Sequence, residues 1–177
     1  MKKYLTLFII LYCSLSFSQT KTNINDTAQI QLLPYDTFPQ TQVSIMPPQN
    51  FKAVESVRGF INLLTTTSIT CTEVNGYQYN TLVNRLSAED IAKQNAVLLS
   101  TEDVQTTSGM TAKLLTISFS IPGMDSTHKP VPFERMMLFT GNRTKTVWIN
   151  VTYPVNVKPF IYKLVRKSIL TVKFDNQ

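Results

Sequence analysis

Thr111-Ala112-Lys113-Leu114-Leu115-Thr116-Ile117-Ser118-Phe119-Ser120-Ile121 decides the fold class. Leu115, Ile117, Phe119 and Ile121 alternate with Thr116, Ser118 and Ser120. A period of two belongs to a β-strand, and this alternation predicts one apolar face turned to a core and one polar face. Upstream, Val97 to Thr106 reads as another strand, ended by Ser108-Gly109. Downstream, Pro122-Gly123 breaks the pattern and a polar loop runs to Pro132. Phe133 to Thr140 and Thr146 to Tyr153 then flank Gly141-Asn142-Arg143, a hairpin signal built from residues that tolerate positive φ. Val147, Ile149, Val151 and Tyr153 share one face of the last strand, and Trp148, Asn150 and Thr152 share the other. Links of hairpin length between successive strands imply an antiparallel sheet.

Outside this block the period changes. After the turn signal Asn75-Gly76, Tyr79, Leu82, Val83 and Leu86 fall at i, i+3, i+4 and i+7, one face of a helix. Ser87 is a good N-cap, and Glu89 and Asp90 suit the positive end of a helix dipole. The pattern predicts two consecutive short helices, or one kinked helix, over 77–95. From Lys158 the helical period returns, with Pro159 acceptable in the first turn. Ile161, Leu164, Val165 and Ser168 form its inward stripe, while Lys163, Arg166 and Lys167 point outward. Towards the N-terminus, Gln42 to Ile45 reads as a short strand ended by Pro47 and Pro48. Phe60 to Leu64 and the Thr-rich Thr65 to Val74 read as a further strand pair. The order predicts an α+β domain: a central antiparallel sheet of about six strands covered by two helical segments.

The first residues address the chain. Lys2 and Lys3 precede an apolar run, Tyr4 to Phe17, and Ser16 and Ser18 stand at −3 and −1 of a cut before Gln19. That is the layout of a secretory signal, and the run is shorter than the roughly 20 residues of a stable membrane span. The expected organisation is a signal peptide at 1–18, a flexible polar leader at 19–41, and a domain at 42–177. Leu32, Leu33, Tyr35 and Phe38 are the leader residues available to dock. The expected location is periplasmic or secreted. Lipidation at Cys13 is disfavoured, because Tyr12 stands where a small residue is needed and apolar residues continue to Phe17. Cleavage leaves 159 of the 177 residues and a net charge of +4 in place of +6. It also leaves Cys71 as the one cysteine, so packing rather than an internal disulfide must hold the fold.

Three pieces carry a family resemblance: Met46-Pro47-Pro48 with Phe51, the turn Ser108-Gly109-Met110-Thr111-Ala112-Lys113, and Val151-Thr152-Tyr153-Pro154 followed by an amphipathic helix ending Ser168-Ile169-Leu170. With the element order, these resemble the PsbP/Mog superfamily over 42–174. The resemblance implies an α/β/α sandwich around an antiparallel sheet. It also implies a binding role, since that superfamily includes extrinsic subunits of photosystem II, a Ran-GTPase-binding nuclear protein, bacterial envelope proteins and chaperones for secreted effectors. No photosystem-binding motif is matched. The Phe17-Ser18-Gln19 region resembles signals common in Bacteroidetes.

Catalytic equipment is sparse. His128 is the single histidine, in the loop Asp125-Ser126-Thr127-His128-Lys129-Pro130, and loop neighbours do not converge into a triad. No Gly-x-Ser-x-Gly elbow occurs, the mature chain has one Cys and one His for zinc, and five scattered glycines exclude a phosphate-cradling loop. The basic residues are scattered rather than gathered in a stripe, which argues against nucleic acid. The reading is therefore an exported, non-enzymatic binding or accessory protein, without cofactor, acting on an envelope or secreted protein. Two alternatives are a hydrolase with an acid-pair or His128-centred site, and a carrier of lipid or hydrophobic segments. Two surfaces are candidates for interaction: Lys163, Arg166 and Lys167 on the last helix, and a strand face formed by Met136, Leu138 and Trp148.

Overall fold

A computed structural model describes residues 31–123 and 129–174. Seven strands form one fully antiparallel sheet in the order β3 (Lys52–Val54), β4 (Gly59–Asn62), β5 (Thr67–Asn75), β9 (Lys145–Pro154), β8 (Val131–Gly141), β7 (Thr111–Ile121) and β6 (Ala96–Gln105). A smaller sheet orders β1 (Asp36–Thr37), β2 (Val43–Ile45) and β10 (Lys173–Phe174). Two five-residue helices, α1 (Tyr79–Val83) and α2 (Ala88–Ala92), follow β5, and α3 (Lys158–Ile169) follows β9. The Ser87 hydroxyl accepts from the Asp90 amide at 3.1 Å, so it caps α2 as its position indicates.

Cross-strand register assigns the faces. Ile69, Val151, Met136 and Thr116 are successive partners across β5, β9, β8 and β7. This face packs under Ile161, Val165 and Ile169 of α3 and under Phe38, Val43 and Ile45 beside it. The opposite face carries Leu115, Ile117, Met137 and Phe139, covered by Val83 of α1 and Ile91 of α2. Helices on both faces explain a departure from the alternation read in β7. Leu114, Leu115 and Thr116 are 0, 1 and 5% exposed, so mid-strand there is no polar face. The hydroxyl face survives only beyond the helices, where Ser120 is exposed.

Two further differences concern the N-terminal third. The strand expected at Gln42–Ile45 does not begin the main sheet; β2 pairs with β1 on one side and with β10 on the other. The seventh main-sheet strand, β3, comes from the Phe51–Val57 stretch, whose three-residue strand is too short to show a period. The described part of the expected leader, 31–41, is docked. Leu32 bridges Pro48, β1 pairs with β2, and Phe38 is fully buried with its ring 5.1 Å from that of Phe60.

Candidate functional site

The β4–β5 connection is unusual in chemistry rather than length. Leu63 and Leu64 are 85 and 91% exposed, at the tip of a turn held by polar groups. The buried Asn62 Oδ1 accepts from the Leu64 amide at 3.0 Å and the Thr65 amide at 3.3 Å. The Thr65 hydroxyl donates to the Thr67 hydroxyl at 2.9 Å, which donates in turn to the Thr65 carbonyl at 3.2 Å. Thr66 closes the turn at φ 50°, a left-handed conformation without glycine. The two leucines thus project from a fixed frame.

Two depressions meet at this turn. One, about 470 Å³, is lined by Asn50, Lys52, Val54, Ile61, Asn62, Leu63 and Leu64. The other, about 770 Å³, runs from Leu64 across Ile121, Pro122, Lys129, Val131 and Phe133 to Pro154 and Val157. Leu64 belongs to both. Ile121 and Val131 are the last cross-strand partners of β7 and β8, and they remain 45 and 46% exposed. Phe133 stacks on Phe119 at 6.0 Å, and the Arg135 guanidinium lies 5.0 Å over the Phe119 ring while its Nε donates to Thr152 Oγ1 at 3.0 Å. Partial burial pushes the Arg135 pKa down. This end of the sheet is therefore an apolar surface with lysines at two of its edges, and no carboxylate lines either depression among the described residues.

The residues singled out from the sequence fall in separate places. Lys163 and Lys167 are exposed on α3, beside a depression of about 430 Å³ lined also by Glu102, Tyr162, Arg166 and Leu170. Arg166 pairs with Glu102 of β6 at 2.9 Å instead of facing outward unpaired. Met136 and Leu138 do not share a face with Trp148. Leu138 is the cross-strand partner of Ile149 and Trp148 that of Phe139, so the pleat sends them to opposite sides. Met136 and Leu138 are 0% exposed under α3, whereas Trp148 stacks on Phe139 at 5.2 Å beneath α1. Among the described residues, the core between α3 and the sheet is filled by the side chains of one packed cluster.

His128, with Asp125, lies outside the described residues, as do Cys13 and the signal segment. Among the described carboxylates, Glu134 accepts from the Tyr153 hydroxyl at 2.9 Å and from Lys158 Nζ at 2.7 Å. Glu73 pairs with Lys145, Asp103 with Lys113 and Asp90 with Lys93. These four are each engaged by a cation, and no group of three or more His, Cys, Asp or Glu is placed to hold a metal among the described residues. The Cys71 thiol is 3% exposed, and burial pushes its pKa far up, so it behaves as an apolar core group.

Leu63 and Leu64 are the surface that the sequence reading missed. It ran a strand through Leu64 and began the next at Thr65, leaving no residues for the turn that joins them. No Gly or Pro marks the spot, yet a hairpin needs at least two connecting residues, and two adjacent leucines between strands cannot both face the core.

No protein-family model matches the chain, and no curated protein matches it. Solved structures share its fold, among them the following two. The solution structure of the cyanobacterial PsbP protein, CyanoP, from Synechocystis superposes with a TM-score of 0.55 and 13% identity, over 81% of this chain and 92% of that one. A crystal structure from Bacteroides thetaiotaomicron superposes with a TM-score of 0.50 and 13% identity, over 83% of this chain and 50% of that one. The chain has a PsbP-like fold, and at this identity the likeness speaks for the fold alone.

Proposed function

We propose that the protein is an exported, non-enzymatic accessory protein that works by binding, and that its binding surface is the apolar end of the sheet around Leu63 and Leu64. One observation carries this reading: two adjacent leucines, 85 and 91% exposed, are held out by a turn that the buried Asn62 side chain braces with two hydrogen bonds. Single exposed leucines are ordinary. A contiguous patch that includes Ile121 and Val131 and continues into a depression of about 770 Å³ is a feature of binding surfaces. The signal-like N-terminus supports export, and the PsbP-like fold supports an accessory role by analogy.

The test is site-specific photo-crosslinking from position 64 in the native envelope, with position 77 at the other end of the sheet as reference. Adducts formed from 64 and not from 77 support a binding role at this surface. Turnover of a hydrolase substrate by the purified protein, abolished by His128→Ala, would overturn it in favour of the enzymatic alternative.

A further inference from the structure

We infer that the apolar sheet end docks on an anionic lipid surface, with Leu63 and Leu64 as the inserting pair and Lys52 and Lys129 at the headgroup level. This rests on the binding reading above and names the partner class of the same surface. Two observations favour a bilayer over a protein groove or a second copy of the chain.

The first is shape. The two leucines stand at the tip of a turn rather than on the floor of a cleft, and each is more exposed than any other large apolar residue described. A protruding apolar pair gains most from a medium that surrounds it, which a bilayer's acyl boundary does. The second is charge. Lys52 lines the smaller depression and Lys129 the larger, both are exposed, and neither depression is lined by a described carboxylate. Lysines flanking a small inserting patch match anionic headgroups, each contributing about fivefold to membrane affinity.

The rigidity of the turn matters to the mechanism. Hydrogen bonds from Asn62, Thr65 and Thr67 brace it, so the leucines are already held out before they meet the lipid. Insertion of both transfers little more than two side chains. The association is then reversible, of the order of a single weak anchor, and needs the lysines to be appreciable.

The experiment is co-sedimentation of the full mature chain with vesicles of phosphatidylglycerol and phosphatidylethanolamine, and with vesicles of phosphatidylcholine alone. The proposal expects binding to the anionic vesicles, weakened by salt. Leu63→Ser with Leu64→Ser lowers it by about tenfold or more, and Lys52→Gln with Lys129→Gln by about 25-fold. Tyr77→Ser, at the opposite end of the sheet, leaves it unchanged. All the altered side chains are exposed, so thermal melting of the variants stays at the parent value and the fold is not at issue. Equal binding to neutral and anionic vesicles, or binding indifferent to the leucines, overturns the proposal. A dimer abolished by the leucine substitutions, without vesicle binding, also overturns it and makes a second copy the occupant. Protein adducts from position 64 without vesicle binding overturn the lipid assignment while leaving the binding function standing. Absence of vesicle binding, dimer and adducts together overturns both.

Discussion

Glu134 shows how a single charged residue is accommodated inside this molecule. It is 6% exposed, and its two carboxylate oxygens are taken by the Tyr153 hydroxyl and the Lys158 ammonium, which ties β8 and β9 to the first turn of α3. Removing the carboxylate strands a fully buried tyrosine hydroxyl and frees a lysine that is already 40% exposed. Glu134→Ala should therefore destabilise by about 2 kcal/mol, below the usual loss for a fully buried pair because solvent reaches Lys158. Urea denaturation checks it, and Glu134→Gln, which keeps an acceptor for Tyr153, should recover part of the loss. Burial, reinforced by Glu134, also pushes the Tyr153 pKa up, as burial does for Cys71. Both groups keep their protons in the fold at pH values where the unfolded chain releases them, near 9.0 and 10.0. Above that range the folded state binds more protons than the unfolded one, so stability falls as pH rises. The urea midpoint should drop between pH 9 and 11, and replacing Cys71 with Ala and Tyr153 with Phe should flatten that slope. A slope unchanged by both replacements would remove this account.

At the scale of elements, legibility followed the length of the repeating pattern. β7, β8 and β9, each of ten or eleven residues, are long enough for a period of two to stand out. α3 spans 12 residues with a clear apolar stripe, and Ser87 marks the start of α2 by its capping chemistry. Two- and three-residue strands carry no period, so β1 and β3 stay hidden in the sequence and nothing in β2 shows that it pairs outside the main sheet. The candidate strand face at Met136, Leu138 and Trp148 failed for another reason. Each strand's alternation is readable alone, but which residue of β9 faces which residue of β8 depends on the register set by the hairpin. The leucine turn was invisible because Thr66 takes a left-handed φ that sequence rules assign to Gly or Asn. One glycine, in contrast, has a purely steric duty. A Cβ at Gly59 would run into the Ile69 carbonyl across the β4–β5 ladder, with the Thr70 Cα 3.0 Å away. Backbone atoms cannot move aside as a side-chain tip can. Gly59→Ala should cost about 2 kcal/mol or more in chemical denaturation, whereas Ser87→Ala, which removes only the α2 cap, should cost about 1 kcal/mol.

Across the whole molecule, the chain's two described ends are joined through one strand. β2 lies between β1 and β10, so the segment at 36–45 and the segment at 173–174 close the fold together. The Ser168 hydroxyl donates to the Met46 carbonyl at 2.7 Å and the Met46 amide donates to the Thr171 hydroxyl at 2.7 Å, fastening this small sheet to the end of α3. Phe38 is the apolar counterpart of that fastening: fully buried, ring against Phe60, in the same cluster as Val165 and Ile169. A domain boundary placed at residue 42 from composition alone cuts through this arrangement, because Asn, Thr and Gln around Tyr35 and Phe38 read as a linker. Polar composition reports how little of a segment is buried, and here the Phe38 ring, the β1–β2 pairing and the Leu32 bridge to Pro48 carry the docking. Phe38→Ala should lower stability by about 3 to 4 kcal/mol, the scale of emptying a packed aromatic site. A chain begun at residue 42 should lose more, since it also removes β1 and exposes one edge of β2. Comparing urea midpoints of chains begun at residues 31 and 42 decides the matter. If the unfolding free energies from the two curves agree within about 0.5 kcal/mol, as those of inconsequential surface changes do, then the Phe38 contact contributes nothing and the domain does begin after it.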